Sequence, residues 1–196
     1  MADGPRALRA DEWDQLDRLE SAVFRPEMFR DYPQLFDEAN RDNLRVVSED
    51  GKVVSHVGMT ERAASLAGCR IDVCCIGAVA TYQEYRGRGF ASAAFQDCCA
   101  KAAADGVDVM LISGGRGLYT RVGCRQVGQD WDVAFAPGQA ASALSSHPAT
   151  LVPATAADIP ALRALHQQEA VRFLRPREDW EMALDCGIVM NTASDF

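Results

Sequence analysis

Residues 70 to 113 constrain the fold of this chain more than any other stretch. Arg70 to Thr81, RIDVCCIGAVAT, is β-branched and almost wholly apolar, which predicts a central strand buried on both faces. Gly77 in its interior predicts a bulge or a close backbone approach, because a glycine there otherwise weakens a strand. A bare, basic loop, YRGRGF, follows, and then FASAAFQDCCAKAAADG, which is helical in propensity and carries Gly106 as a C-cap. VDVMLIS returns as a second buried strand. Strand, helix and strand in that order imply a right-handed parallel crossover.

The flanking segments extend this unit in both directions. Trp13, Leu16, Leu19, Ala22 and Val23 recur at helical spacing, so Asp11 to Phe24 is expected as one amphipathic helix. A second short helix is expected after Pro33, carrying Leu35 and Phe36 to the core. LRVVSEDGKVVSHVGMTE holds two apolar runs around Asp50-Gly51, the strongest short signal for a tight hairpin, and Ala67-Gly68 repeats the arrangement. RGLYTRVGCRQVGQDWDVAFAP reads as a short helix, a glycine stop and a hairpin-like pair of strands. Residues 137–150, rich in Ser, Ala, Pro and Gly without period, read as a linker.

At 196 residues and 48% hydrophobic, the chain fills one globular core with some residues left over. A net charge of -8 argues against nucleic acid and anionic membrane as partners, which require a basic face, and weakly favours a cationic acceptor. No stretch approaches a membrane span and the N-terminus has no apolar signal core. Seven cysteines, none spaced as CxxC, include the adjacent pairs Cys74-Cys75 and Cys98-Cys99 and read as small buried hydrophobes. With three histidines, no metal site is expected, and a reducing cytoplasm is the natural setting.

A strand, a glycine-rich loop and a helix together form a phosphate cradle. First-turn amides lack intrahelical partners and the helix dipole adds positive charge. Gly87 and Gly89 would allow close backbone approach, and Arg86 and Arg88 would add formal charge. By itself the loop fits a phosphate site and an exposed turn equally well. Neither G-x-x-x-x-G-K-[ST] nor G-x-G-x-x-G is present, which sets aside an NTP cradle and a dinucleotide fingerprint.

GAVATYQEYRGRGFASAAF resembles the central motif of the GNAT superfamily of acyl-CoA-dependent N-acyltransferases: Arg or Gln, two residues, Gly, one residue, then Gly or Ala. Here these are Arg86, Gly87, Arg88, Gly89, Phe90 and Ala91, and LYTRVGCRQVG further on resembles the family's tyrosine, Tyr119, with its trailing glycine. The resemblance covers residues 6 to 136. It implies an α/β domain with a mixed sheet, central parallel strands and flanking helices, and an N-acetyltransferase that uses acetyl-CoA as co-substrate to acetylate an amine acceptor.

Residue by residue, the resemblance assigns the pyrophosphate to Arg86, Gly87, Arg88, Gly89, Phe90, Ala91 and Ser92. The pantetheine arm, which runs like an added strand, falls to Val79, Ala80 and Thr81. The amide near Val79 is the expected oxyanion donor. Tyr119 matches the general acid: a phenol of pKa ~10 suits protonation of a thiolate of pKa ~8.5. Without the resemblance Tyr119 reads as a core aromatic. No base stands out. Asp72 and Glu84 read as solvated carboxylates and His56 as a structural strand histidine, and a water relay to a remote carboxylate is as good a candidate.

LISGGRGLYTRVGC departs from the commoner pattern, in which an asparagine precedes the tyrosine, and resembles the enhanced-intracellular-survival type of aminoglycoside acetyltransferase, which carries tandem GNAT units. Residues 151–196 open again like residues 6 to 24 and are expected as a truncated or partial second GNAT-like unit, or as an appendage that docks on the first domain or on another copy of the chain in a homo-oligomer. Arg172, Arg175 and Arg177 are expected to pair internally with Glu178, Asp179 and Glu181 on a solvated face.

Overall fold

A computed structural model describes residues 1–127, 152–189 and 192–193. The expected strand pair after Cys124 and the linker 137–150 lie largely or wholly outside the described residues. The chain opens with β1 (Ala2–Ala7), α1 (Trp13–Val23) and the single turn α2 (Met28–Asp31). Next come β2 (Leu44–Glu49), β3 (Lys52–Leu66) and β4 (Cys69–Thr81). Then follow α3 (Phe90–Ala104), β5 (Val109–Ile112), α4 (Gly117–Arg121), α5 (Ile159–His166), β6 (Val171–Phe173) and α6 (Arg177–Cys186).

Among the described residues one six-stranded sheet runs β1-β2-β3-β4-β5, with β6 beside β3. Only the β4–β5 pair is parallel, so the sheet is mixed. Both predicted hairpins are present: Asp50-Gly51 and Ala67-Gly68 each turn with positive φ at both residues, which matches the twist of the flanking strands.

Residue alternation along the strands separates two cores. On one face α3 packs Phe95 and Cys98 against Val47, Val57, Met59, Cys74 and Val79. On the other, α1 packs Leu16 and Leu19 against Val46, Val53 and Ala80, with Leu35 and Phe36 alongside. Burying Leu16 and Leu19 fully contributes about 1.5–3 kcal/mol each, which is what holds α1 on the sheet.

Two expectations are corrected. Leu35 and Phe36 do reach the core, but the short helix precedes Pro33 and is α2. Pro33 cannot donate within a helix, and the chain takes turns through Tyr32 instead. β5 is half exposed: Met110 and Ile112 pack against the core under α3, while Val109 and Leu111, which alternate onto the opposite face, are 40% and 44% exposed.

Candidate functional site

β4 outruns its partner. β5 pairs with Val73 to Ile76 only, so the edge of β4 from Gly77 to Thr81 has no described strand beside it. At this point the ladder to β3 shifts: His56 faces Ala80 and Gly58 faces Gly77, which leaves Val57 opposite both Ala78 and Val79. The predicted bulge is therefore present, one residue beyond Gly77, at Ala78 with φ +51. A non-glycine residue in this region is strained, and such strain concentrates at functional sites.

The free edge leads into the start of α3. Gly87 and Gly89 have φ of +77 and +83, and no atom lies within 4 Å of the position a Cβ would occupy on either, so their surfaces are open. Gly89 is the N-cap of a fifteen-residue helix whose first amides point outward. A cavity of about 340 Å3 lies over this junction, lined by Val79, Thr81, Arg86, Gly87, Gly89, Phe90, Ala91 and Ser92. Eight of the sequence-predicted residues thus share one cleft.

Three predicted residues sit elsewhere. The Ala80 side chain is buried in the α1 core. Arg88 turns back to form a bidentate pair with Glu49, at 2.7 and 2.5 Å, so its charge is neutralised at the far side of the loop. Tyr119 is buried against Phe95, ring centroids 5.1 Å apart and edge-on, and does not line the cleft. Burial pushes its phenol above the usual value of 10, so it keeps its proton at neutral pH.

Two arginines that the sequence reading passed over complete the cleft. Arg116 donates to the Val79 carbonyl at 3.4 Å and Arg121 to the Ser92 hydroxyl at 3.4 Å, while Arg86 donates to the Thr81 carbonyl at 3.1 Å. Their signal lay in the departure SGGRGLYTR, which puts two arginines on either side of α4. The donors, the bare backbone and the unpaired edge fit a ligand with a phosphate head and an amide-bearing arm. Among the described residues no carboxylate or imidazole lines this cleft.

The candidate bases are placed as follows. Asp72 is exposed beside Arg70 at 3.3 Å, and Glu84 is exposed 3.8 Å from Lys52. His56 is wholly buried and bonds through Nδ1 to Glu20 Oε1 at 2.7 Å. Burial pushes the Glu20 carboxyl up, with the His56 contact opposing it. His56 Nε2 and Glu20 Oε2 have no hydrogen-bond partner. Nothing in the local sequence marks this pair, since the two residues are brought together by the packing of α1 on β3.

A second cavity, of about 300 Å3, reaches β4 on the other side of Ala78, at Cys75, Ile76 and Gly77. Its other walls are Tyr32 to Leu35 and, from the distant end of the chain, Arg175, Met182 and Ala183. That end is held by pairing: Ala64 faces Phe173 and Leu66 faces Val171, with Arg62 3.8 Å from Asp179.

A bulged strand end here meets an open helix N-terminus, an arrangement suited to an anionic ligand, and the comparisons give the family. Residues 5–127 match the model of the acetyltransferase (GNAT) domain, and the chain belongs to that family. No curated protein matches it. A GNAT family acetyltransferase from Brucella melitensis in complex with acetyl-CoA is 21% identical, with a TM-score of 0.52 over 67% of this chain and 94% of that one. Glucosamine-6-phosphate N-acetyltransferase from Arabidopsis thaliana is 14% identical, with a TM-score of 0.52 over 67% and 97%. A GCN5-related N-acetyltransferase from Anabaena variabilis is 20% identical, with a TM-score of 0.53 over 63% of this chain but 31% of its own, so the chain spans less than a third of that relative. At these identities the likeness shows the fold. Among the described residues no helix is long and apolar enough to cross a membrane.

Proposed function

We propose that the domain is an N-acetyltransferase that moves an acetyl group from acetyl-CoA to a primary amine by direct attack. The observation that carries this reading is the unpaired edge of β4, bulged at Ala78 and ending at the open amides of α3. When bound, acetyl-CoA supplies a thioester whose acyl carbon forms the new C–N bond as its C–S bond breaks, the sulfur leaving as a thiol after taking one proton.

The chain's own residues bind, orient and polarise. Amides from Gly89 to Ser92, with Arg86 and Arg121, hold the pyrophosphate, and the main chain of Val79 to Thr81 orients the arm. The Val79 amide, next to the bulge, is the donor to the charge that develops on the carbonyl oxygen in this reading. Tyr119, protonated at neutral pH, is the proton donor for the sulfur in this reading, which requires it to swing from its packing on Phe95. The acceptor amine must arrive neutral and gives its proton to water.

Two finer assignments belong to the same proposal. The tandem enhanced-intracellular-survival type is supported by the SGGRG departure and by the Anabaena relative being about three times the matched length. A reducing, cytoplasmic setting is supported by Cys74 and Cys98, which are thiols packed in the core under α3.

Calorimetric titration with acetyl-CoA, followed by thiol release across a panel of amines, tests the proposal. Binding with amine-dependent thiol release is the expected result. Tyr119 lying off the cleft, and the absence of a carboxylate or imidazole from its walls, favour a second reading, a non-catalytic acyl-CoA-binding regulatory domain. Binding without thiol release from any amine supports that second reading and overturns the first.

A further inference from the structure

The second cavity is lined chiefly by Tyr32, Leu35, Ile76, Met182 and Ala183, an apolar surface in which two charges stand out. One is Asp31, whose carboxylate is already held by Arg25 at 2.7 Å and Arg30 at 3.0 Å, so its charge is spent within its own turn. The other is Arg175. Pairing of Arg172, Arg175 and Arg177 with the acids that follow was the sequence expectation, and Arg177 does bond Glu181 at 2.7 Å. Asp179, however, faces Arg62, and Arg172 donates to the Glu169 carbonyl. Arg175 has no ion pair among the described residues. Its guanidinium lies 5.8 Å from the Phe173 ring, and the residue lines the cavity together with Cys75 of β4.

The backbone holds it there. Leu174 donates to the Ala63 carbonyl at 2.8 Å and Ala67 to the Ala170 carbonyl at 2.7 Å, so both ends of the β6 segment are fastened to β3 immediately before Arg175. An unpaired cation at the rim of an apolar pocket recognises an anion with an apolar body, and a guanidinium suits a carboxylate in particular. The cavity sits at the lower end of the about 300–1,000 Å3 range of small-molecule sites, too small for a multi-ring aminosugar. It ends at Gly77, next to the bulge where the amine must arrive.

We infer that this cavity is the acceptor pocket and that Arg175, contributed by the segment after residue 151, selects a compact amine with an apolar or aromatic body and a carboxylate. The inference rests on the acetyl-transfer reading above and replaces the cationic acceptor that net charge suggested. The amine nitrogen forms the C–N bond and loses its proton to water, as already described, while the carboxylate stays on Arg175 throughout.

The test uses the full chain and matched amines: phenethylamine against phenylalanine and 4-(2-aminoethyl)benzoate, with spermidine as a polycation. The expected result is a kcat/KM at least tenfold higher for a carboxylate-bearing amine than for phenethylamine, a ratio that falls towards one in Arg175→Gln and is partly restored in Arg175→Lys. Equal or better turnover of phenethylamine or spermidine by the wild type overturns the inference while leaving acetyl transfer standing. So does a ratio unchanged in Arg175→Gln. Binding of 3-phenylpropionate, followed by calorimetry, reads the pocket without turnover: binding lost in Arg175→Gln supports it even if no amine is acetylated, and no binding to the wild type overturns it.

Discussion

The two cavities reach β4 on either side of Ala78, yet they are built from different kinds of sequence. The first draws most of its wall from one continuous run, Val79 to Ser92, and offers backbone amides, bare glycines and arginines. The second draws on residues 31–35, 60, 75–77 and 175–186, and offers apolar side chains with one uncommitted cation. A ligand arm that pairs with main chain makes few demands on side chains, so many sequences serve it. A pocket that recognises a small molecule by its side chains depends on which segments the fold brings together. The contrast is one of construction: the proposed donor side is local and backbone-made, the proposed acceptor side is assembled from distant segments.

The largest expected effect lies at the buried pair between α1 and β3. His56→Ala leaves Glu20 buried without a partner, and denaturant unfolding should show a loss of about 3 kcal/mol or more; a loss under 1 kcal/mol would show that water reaches the pair. Gly89→Val puts a β-branched side chain at φ +83, a strain of about 1–3 kcal/mol, and closes the approach to the α3 amides. Acetyl-CoA affinity by calorimetry should fall a hundredfold while the 3-phenylpropionate titration still reports the other cavity. If both ligands are lost together, the two sites are not separable.

Smaller effects refine the donor side. Tyr119→Phe should lower kcat about tenfold with little change in the acetyl-CoA KM, as expected for a group acting in the transition state. Unchanged kcat demotes Tyr119 to its packing on Phe95. Because burial raises the phenol above its usual 10, the alkaline fall in turnover that this proton donor causes should lie beyond pH 10, and that limb should vanish in the variant. The smallest effect is chemical: in the native protein exposed Cys69 should react with iodoacetamide at pH 8, while Cys74 and Cys98, raised to about 11 and about 12, should remain unmodified by peptide mass mapping.

Much of the architecture was legible because it is written in short-range signals. Asp50-Gly51 and Ala67-Gly68 each name their turn, Leu16 and Leu19 name the buried face of α1, and Gly77 announced a bulge to within one residue. Less legible features depend on distant partners. Arg88 reads as a phosphate ligand until β2 brings Glu49 to within 2.5 Å of it. VDVMLIS reads as a buried strand because its composition is apolar, whereas the exposure of Val109 and Leu111 depends on what the fold lays over their face of the sheet. Pro33 displaced the short helix to its N-terminal side, a boundary effect that the sequence states and the periodicity obscures.

By itself the sequence determined the strand, loop and helix that make the donor cleft, because glycine conformations, helix starts and hairpin turns are set by residues a few positions apart. The tertiary structure alone decided the rest. It joined Glu20 to His56, sent Arg88 to Glu49, placed Tyr119 against Phe95, and brought Arg175 into a cavity wall shared with Cys75 and Ile76 of β4. Each of these joins residues far apart in the chain, and the free energy of such a contact depends on which apolar faces pack and which polar partners that packing leaves within reach.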